Sequence, residues 1–186
     1  MEKTVNYEKC ETKAMKHVLI KLARVDLAKG TLLEDIVARC CFYAPIQPTI
    51  EEVIKLGSGD MKERVERIMK WRSKEGFNCL MRCYQILVLY SNKGHDTNTA
   101  PMVREVERTL EYLIKLGVDN KIDMDEVTNA TDKSGETLFY LSSIYSENIS
   151  LLLITMNVKV NSIDHLFRIP SFQVSSTSFS SFNQLA

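Results

Sequence analysis

The sequence feature that most constrains the fold is a segment of about 30 residues whose opening recurs downstream. The segment begins with the polar turn at residues 132–138 and closes at residues 157–161. Asp164 then starts a similar opening, 32 residues after Asp132. A polar turn, two short helices and an aspartate that recurs at this spacing indicate a stacked helical repeat. Because one such unit cannot bury its apolar face alone, the pattern predicts a helical array and favours binding over catalysis.

The composition is typical of a folded protein and argues against a strong nucleic-acid interface. The 24 basic residues balance the 24 acidic ones, whereas nucleic-acid binding requires a basic excess on one face. The five cysteines include the adjacent pair Cys40 and Cys41 and predict free thiols in a reducing compartment. The N-terminus lacks the apolar core of a secretory signal, and no apolar run approaches the roughly 18 residues of a membrane span. We therefore expect a cytoplasmic or nuclear protein that does not enter a membrane.

Helical periodicity covers most of the chain, and no stretch alternates like a strand, so the predicted fold class is all-α. Threonines are placed at the starts of two helices, Thr31 and Thr49, and glycines at helix ends, among them Gly57 and Gly117. Loops are expected at residues 91–100 and 120–130. The predicted organisation comprises a disordered N-terminus (1–10), an N-terminal helical region (11–74), divergent repeats with inserted loops (75–172) and a disordered Ser-rich tail (173–186).

Residues 132–161 resemble an ankyrin repeat. That family opens each unit with Asp-x-x-Gly-x-Thr-Pro-Leu, continues through two short antiparallel helices, and closes with Gly-Ala-Asp-Val-Asn before the next aspartate. The matching positions cover the opening, the paired leucines of the second helix, the closing asparagine and the next aspartate: Asp132, Gly135, Thr137, Leu153, Ile154, Asn161 and Asp164. Leu138 departs from the family, since it stands where proline is preferred, and the unit is one residue short between its helices.

Weaker copies of the same pattern lie on both sides. Residues 75–80 resemble an opening and residues 113–119 a closing, with surplus residues between them. A truncated third opening occupies residues 164–172, and residues 30–57 form a further degenerate copy. The resemblance therefore implies a short, irregular ankyrin-like solenoid in which the N-terminal helices act as a cap.

Proteins of this family bind other proteins through the turn tips and the concave helix face. The resemblance thus implies a non-enzymatic adaptor with another protein as its partner. It implies partner contacts by Lys133, Glu136, His165 and Arg168, with Asp132 and Asp164 satisfying turn N–H groups instead. We expect no catalytic residue, metal or cofactor.

Metal-site patterns in the sequence are incomplete. Cys79 and Cys83 share a helical face, but no second Cys/His pair completes a zinc site, and buried thiols are the better interpretation. Counted from Asp119, the acidic segment has Met124 and Ala130 where a calcium loop requires glycine and glutamate.

Two alternatives remain open from the sequence. A compact bundle with a small-molecule or catalytic pocket would gather His95 or His165 with a cysteine. A helical RNA-binding adaptor would bring several basic residues onto one surface, namely Lys13, Lys16, Lys21, Arg24, Lys29, Arg72 and Lys74.

Overall fold

A computed structural model describes residues 7–91 and 100–156, with side chains over 14–88 and 101–156. These residues form nine α-helices and no strand, which confirms the all-α prediction. The helices are α1 (Tyr7–Ala28), α2 (Leu33–Tyr43), α3 (Gln47–Leu56), α4 (Met61–Lys70), α5 (Cys79–Ser91), α6 (Ala100–Asp119), α7 (Met124–Thr128), α8 (Leu138–Tyr145) and α9 (Glu147–Thr155). Helix α1 thus begins inside the segment predicted to be disordered.

Six of the helices pack as three consecutive pairs. Helices α2 and α3, α5 and α6, and α8 and α9 contact each other within their pairs. Successive pairs then meet in two rows. In the first row α5 contacts both α2 and α8, and in the second row α6 contacts both α3 and α9. We call these the inner row (α2, α5, α8) and the outer row (α3, α6, α9). Helix α1 packs on α3 and α2 at the N-terminal end of the rows.

Polar side chains link each pair to the next. Thr109 on α6 donates a hydrogen bond to the carbonyl of Pro45, in the connection between α2 and α3 (2.7 Å). Ser146, which joins α8 to α9, donates to the carboxylate of Glu107 on α6 (2.6 Å). The connections of the first and third pairs are therefore both tied to the outer helix of the middle pair.

A short helix lies after the outer helix in each of the first two pairs. Helix α4 buries Val65, Ile68 and Met69 against the core and contacts α2 and α6. Helix α7 occupies the predicted 120–130 insertion and packs on α6. Its N-cap is Asp123, whose carboxylate accepts from the N–H groups of Asp125 and Glu126. This segment is therefore ordered by a capped helix, whereas the sequence predicted a loop.

Three predicted helix boundaries are wrong. Helix α6 continues through Gly117 to Asp119, and the missing Cβ at Gly117 leaves space for the sulfur of Met124. Helix α3 begins at Gln47 because Pro48 fits its first turn, where no N–H donor is required, and Thr49 is buried inside the helix. Leu32 precedes α2 without any side-chain cap, so Thr31 does not serve as its N-cap.

The outer helices share an apolar doublet at their C-terminal ends. The first member, Val53, Leu113 or Leu153, is fully buried in every pair. The second member is 1% exposed at Ile54 and 4% at Ile114, but 40% exposed at Ile154. In the first two pairs the next outer helix packs alongside, whereas no described element follows α9. The C-terminal edge of the described rows is therefore an open apolar edge.

Candidate protein-binding surface

Two turns with the same backbone hydrogen bonds precede α5 and α8. We call residues 73–77 the first turn and residues 132–136 the second turn. In the first turn, the N–H of Ser73 donates to Phe77 O (2.9 Å) and that of Gly76 to Ser73 O (3.0 Å). In the second turn, the N–H of Asp132 donates to Glu136 O (3.0 Å) and that of Gly135 to Asp132 O (3.1 Å). Gly76 and Gly135 both have a positive φ, 92° and 78°, which L side chains rarely adopt.

One side-chain oxygen organises each turn. The Asp132 carboxylate accepts from the N–H groups of Ser134 and Glu136, both at 2.8 Å. In the first turn the hydroxyl of Ser73 accepts from the two equivalent N–H groups, at 3.1 and 3.2 Å. The repeat match in the sequence began at residue 75 and missed Ser73. A serine spaced three residues before a glycine was the available signal, because its oxygen can replace the carboxylate in an Asx-type turn.

Each turn then caps the inner helix that follows it. The side chain of Asn78 accepts from the N–H of Met81 (2.8 Å), and that of Thr137 accepts from the N–H of Tyr140 (3.1 Å). The amide of Asn78 also donates to Val127 O (2.8 Å), which ties the first turn to α7. Asparagine and threonine are preferred N-cap residues because their side chains satisfy otherwise unpaired helix N–H groups.

The two turns are in direct backbone contact. The N–H of Lys133 donates to Glu75 O at 2.8 Å. A Cβ at Gly76 would lie only 2.9 Å from the Cα of Asp132, so the close approach requires glycine. The two turns consequently form one continuous ledge beside the inner row, with the side chains of Lys74, Glu75, Lys133 and Ser134 exposed.

The described structure covers some of the sequence-predicted site residues. Lys133 is exposed, and Glu136 is half-buried and engaged in interactions. Asp132, Gly135, Thr137 and Leu153 are buried, whereas Ile154 is partly exposed. The remaining predicted residues, Asn161, Asp164, His165 and Arg168, lie outside the described residues.

An arginine beside the ledge was not identified from the sequence. The guanidinium carbon of Arg82 lies 5.3 Å from the ring centroid of Phe42 and 5.6 Å from those of Trp71 and Phe77. Such distances permit cation–π attraction to all three rings. These contacts join α2, the segment after α4 and the first turn to α5. The sequence contained one indication of this role, because Arg82 is the only charged residue in segment 79–90. Its three aromatic partners could not be found in the same way, since they lie at irregular distances along the chain.

An open groove lies between α2 and α4, with a volume of about 560 Å³. Trp71 anchors one side by donating from its indole N–H to the Asp35 carboxylate (2.7 Å). Arg67 forms an ion pair with Glu34 across the groove at 3.7 Å. Its lining mixes both signs of charge with apolar surface: Leu32, Glu34, Glu63, Glu66, Arg67, Lys70 and Trp71.

The cysteines whose side chains are described are buried and lie in or beside the contact between α2 and α5. A hydrogen bond with Cys41, together with burial, raises the pKa of the Cys79 thiol well above its ordinary range. Burial raises the pKa of Cys40 to about 11. The thiols of Cys40 and Cys79 are therefore protonated at neutral pH, and a thiol is a much weaker nucleophile and metal ligand than a thiolate. No group of three His, Cys, Asp or Glu side chains within the described ranges could hold a metal ion.

No protein-family model matches the chain, and no curated protein matches its sequence. Among the described helices, none is long and apolar enough to cross a membrane.

The role of Asp132 in the second turn can be tested by substitution. We expect Asp132→Ala to lower the free energy of unfolding by about 2–3 kcal/mol, because two N–H groups of a partly buried turn lose their acceptor. Asp132→Asn retains an oxygen at this position and should cost about 1 kcal/mol or less. Urea unfolding followed by circular dichroism measures both values. Equal losses for the two variants would show that the negative charge, and not the acceptor, matters.

Proposed function

We propose that this protein is a non-enzymatic adaptor that binds another protein through an ankyrin-like repeat surface. The observation that carries the proposal is the hydrogen bond from Lys133 N to Glu75 O, which stacks two turns of the same design edge to edge. Three consecutive helix pairs in two rows support the same view, because stacked pairs are the architecture of helical repeat proteins. In this proposal α1 is the N-terminal cap, and the solenoid is short and irregular.

The proposed binding surface consists of the ledge and the exposed side of the inner row. The ledge offers the ammonium groups of Lys74 and Lys133. Tyr43 on α2 and Ile144 on α8 expose more than half of their surface, and such side chains supply contact area in protein interfaces. The polar turns precede α5 and α8, and the exposed aromatic and aliphatic groups lie near the C-terminal ends of α2 and α8. Together they give the inner row a surface suited to a protein partner in the cytoplasm or nucleus.

Two other functions have weaker support. A small-molecule or catalytic bundle could use the groove between α2 and α4, but His95 and His165, on which that alternative depends, lie outside the described residues. An RNA-binding adaptor needs Arg72 to join the basic residues of α1. Instead the guanidinium of Arg72 donates to the carbonyls of Met69 and Trp71, both at 2.8 Å, so it is used within the chain.

Proximity labelling in cells tests the adaptor proposal. We compare the intact chain with the double variant Lys74→Glu/Lys133→Glu, which reverses the charge of both ledge lysines without removing a turn hydrogen bond. The matched control is Lys62→Glu/Lys115→Glu, which reverses two exposed lysines on α4 and α6. We expect the intact chain and the control variant to label the same defined set of proteins. The ledge variant should label these proteins at least tenfold less.

The remaining outcomes decide against the proposal. If both variants label the same proteins as the intact chain, the ledge does not bind the partner. If the intact chain enriches no protein above a tag-only control, the adaptor function itself is wrong. Circular dichroism and thermal unfolding of the purified variants show whether any loss of labelling comes from unfolding.

A further inference from the structure

Helix α1 exposes an apolar row on the side that does not pack on the protein. Met15, Val18, Leu22 and Val25 each expose about half of their surface. Their spacing of three, four and three residues places them in one line along the helix and is the spacing of a helix–helix seam. Ala23, in contrast, is buried towards the body of the protein. Helix α1 therefore has two apolar sides, of which only one is covered by the described residues.

A basic row runs parallel to the apolar row. His17, Lys21 and Arg24 are exposed and follow one another at helical spacing. Lys29 continues the line of the apolar row beyond Val25. None of these side chains forms an ion pair with another residue of the described ranges.

The local charge on α1 differs from that of the whole chain. Between residues 14 and 29 the formally charged side chains are Lys16, Lys21, Arg24, Lys29 and Asp26, which gives a net charge of 4 − 1 = +3, whereas the chain as a whole has no net charge. The single acidic group, Asp26, is paired with Arg39 at 2.8 Å. Between residues 14 and 28 the surface of α1 is thus apolar along one line and cationic along the next, and its one carboxylate, that of Asp26, is already paired.

We propose that α1 is a second docking surface, which binds an acidic amphipathic helix of another protein. A helix with apolar side chains at seam positions and glutamates beside them would bury the Met15–Val25 row and neutralise Lys21 and Arg24 together. A second copy of this chain fits less well, because antiparallel pairing would place the cationic row against itself. A lipid surface would satisfy the charge, but residues 14–28 of α1 contain no aromatic side chain other than His17 that could enter the interface.

Designed peptides test this docking surface on the full chain. The probe is a fluorescent three-heptad peptide with leucine at the seam positions and glutamate at the flanking positions, and its counterpart carries lysine instead of glutamate. We expect the acidic peptide to bind with a dissociation constant in the range of about 10–100 μM and the basic one at least tenfold more weakly. Binding of the acidic peptide should weaken between about 50 and 300 mM salt, since the charges are exposed.

Two variants separate the contributions of the rows. Val18→Ser/Leu22→Ser should reduce binding of the acidic peptide at least fivefold, whereas Val118→Ser, at an equally exposed valine on α6, should leave it unchanged. Lys21→Glu/Arg24→Glu should invert the preference, so that the basic peptide binds more tightly. The ledge variant Lys74→Glu/Lys133→Glu should bind the acidic peptide normally, because the two surfaces are separate.

Three results would overturn the proposal. One is equal binding of the acidic and basic peptides, or no binding of the acidic peptide up to about 1 mM. Another is a failure of the charge-reversed variant to change its preference although circular dichroism shows it folded. The third is binding to vesicles of phosphatidylcholine and phosphatidylserine (about 3:1) that is stronger than peptide binding and is lost in the α1 variants, which would assign the surface to anionic lipid.

Discussion

Replacing Gly76 with alanine should destabilise the protein by about 3 kcal/mol or more. Two effects add at this position. An L side chain at φ +92° costs about 1–2 kcal/mol, and the new methyl group would lie 2.9 Å from the Cα of Asp132. Backbone atoms cannot rotate away, so the two turns must separate and the hydrogen bond from Lys133 to Glu75 must lengthen or break. Chemical denaturation measures the stability, and amide hydrogen exchange of Lys133 reports on the contact.

Gly30 provides the matched control for this prediction. Its φ is +84°, close to that of Gly76, but a Cβ there would meet no atom within 4 Å. Gly30→Ala should therefore show only the backbone cost of about 1–2 kcal/mol, with exchange of the Lys133 amide unchanged. If the two variants lose the same stability and both keep this amide protected, the turns do not approach each other as closely as described.

Truncating the doublet isoleucines should have effects that depend on their place in the rows. Ile114→Ala is expected to lower the free energy of unfolding by about 2–5 kcal/mol, because it removes buried methyl and methylene groups and leaves a cavity. Ile54→Ala should fall in the same range. Ile154→Ala should cost about 1 kcal/mol, because much of its side chain is already exposed to solvent. The three variants differ by the same atoms and can be compared directly by urea unfolding.

The outcome at Ile154 also reports on the edge of the rows. A loss as large as that at Ile114 would contradict the open edge and would mean that residues outside the described ranges cover it. Similar small losses of stability at all three positions would contradict the burial of Ile54 and Ile114. Alanine favours helix more than isoleucine by a few tenths of a kcal/mol, and this contribution is common to the three variants.

The sequence predicted the second turn because the residues that form it lie within a few positions of each other. Asp132, Gly135 and Thr137 satisfy the turn and the helix start with their own atoms, so their order in the sequence specifies the geometry. The sequence analysis recognised only the second half of the first turn, because the hydroxyl of Ser73 accepts the hydrogen bonds that a carboxylate accepts in the second turn. Capping and turn rules were therefore informative wherever the side chain and the backbone group it binds are neighbours.

Contacts between distant segments were not predictable in the same way. The glycine at position 117 makes room for Met124, a contact that helical periodicity does not predict. The position of Arg82 depends on aromatic rings contributed by α2, the segment after α4 and the first turn. Helical periodicity did not identify the exposed row on α1, because periodicity shows that a face is apolar but not whether another element covers it.

The arrangement of the helices in pairs affects which part of the protein unfolds first. Each pair contacts mainly its neighbours, so the loss of a terminal pair removes one interface, whereas the loss of the middle pair, α5 and α6, removes two. Fluctuations should therefore begin at α8 and α9, beside Ile154, while the middle pair opens only with the whole domain. A terminal pair that opens at low free-energy cost can be reshaped by a bound partner without unfolding the first turn. The terminal pair would then act as a separate cooperative unit, and because Ile144 lies on α8, its stability would set how often the part of the proposed binding surface around Ile144 is formed.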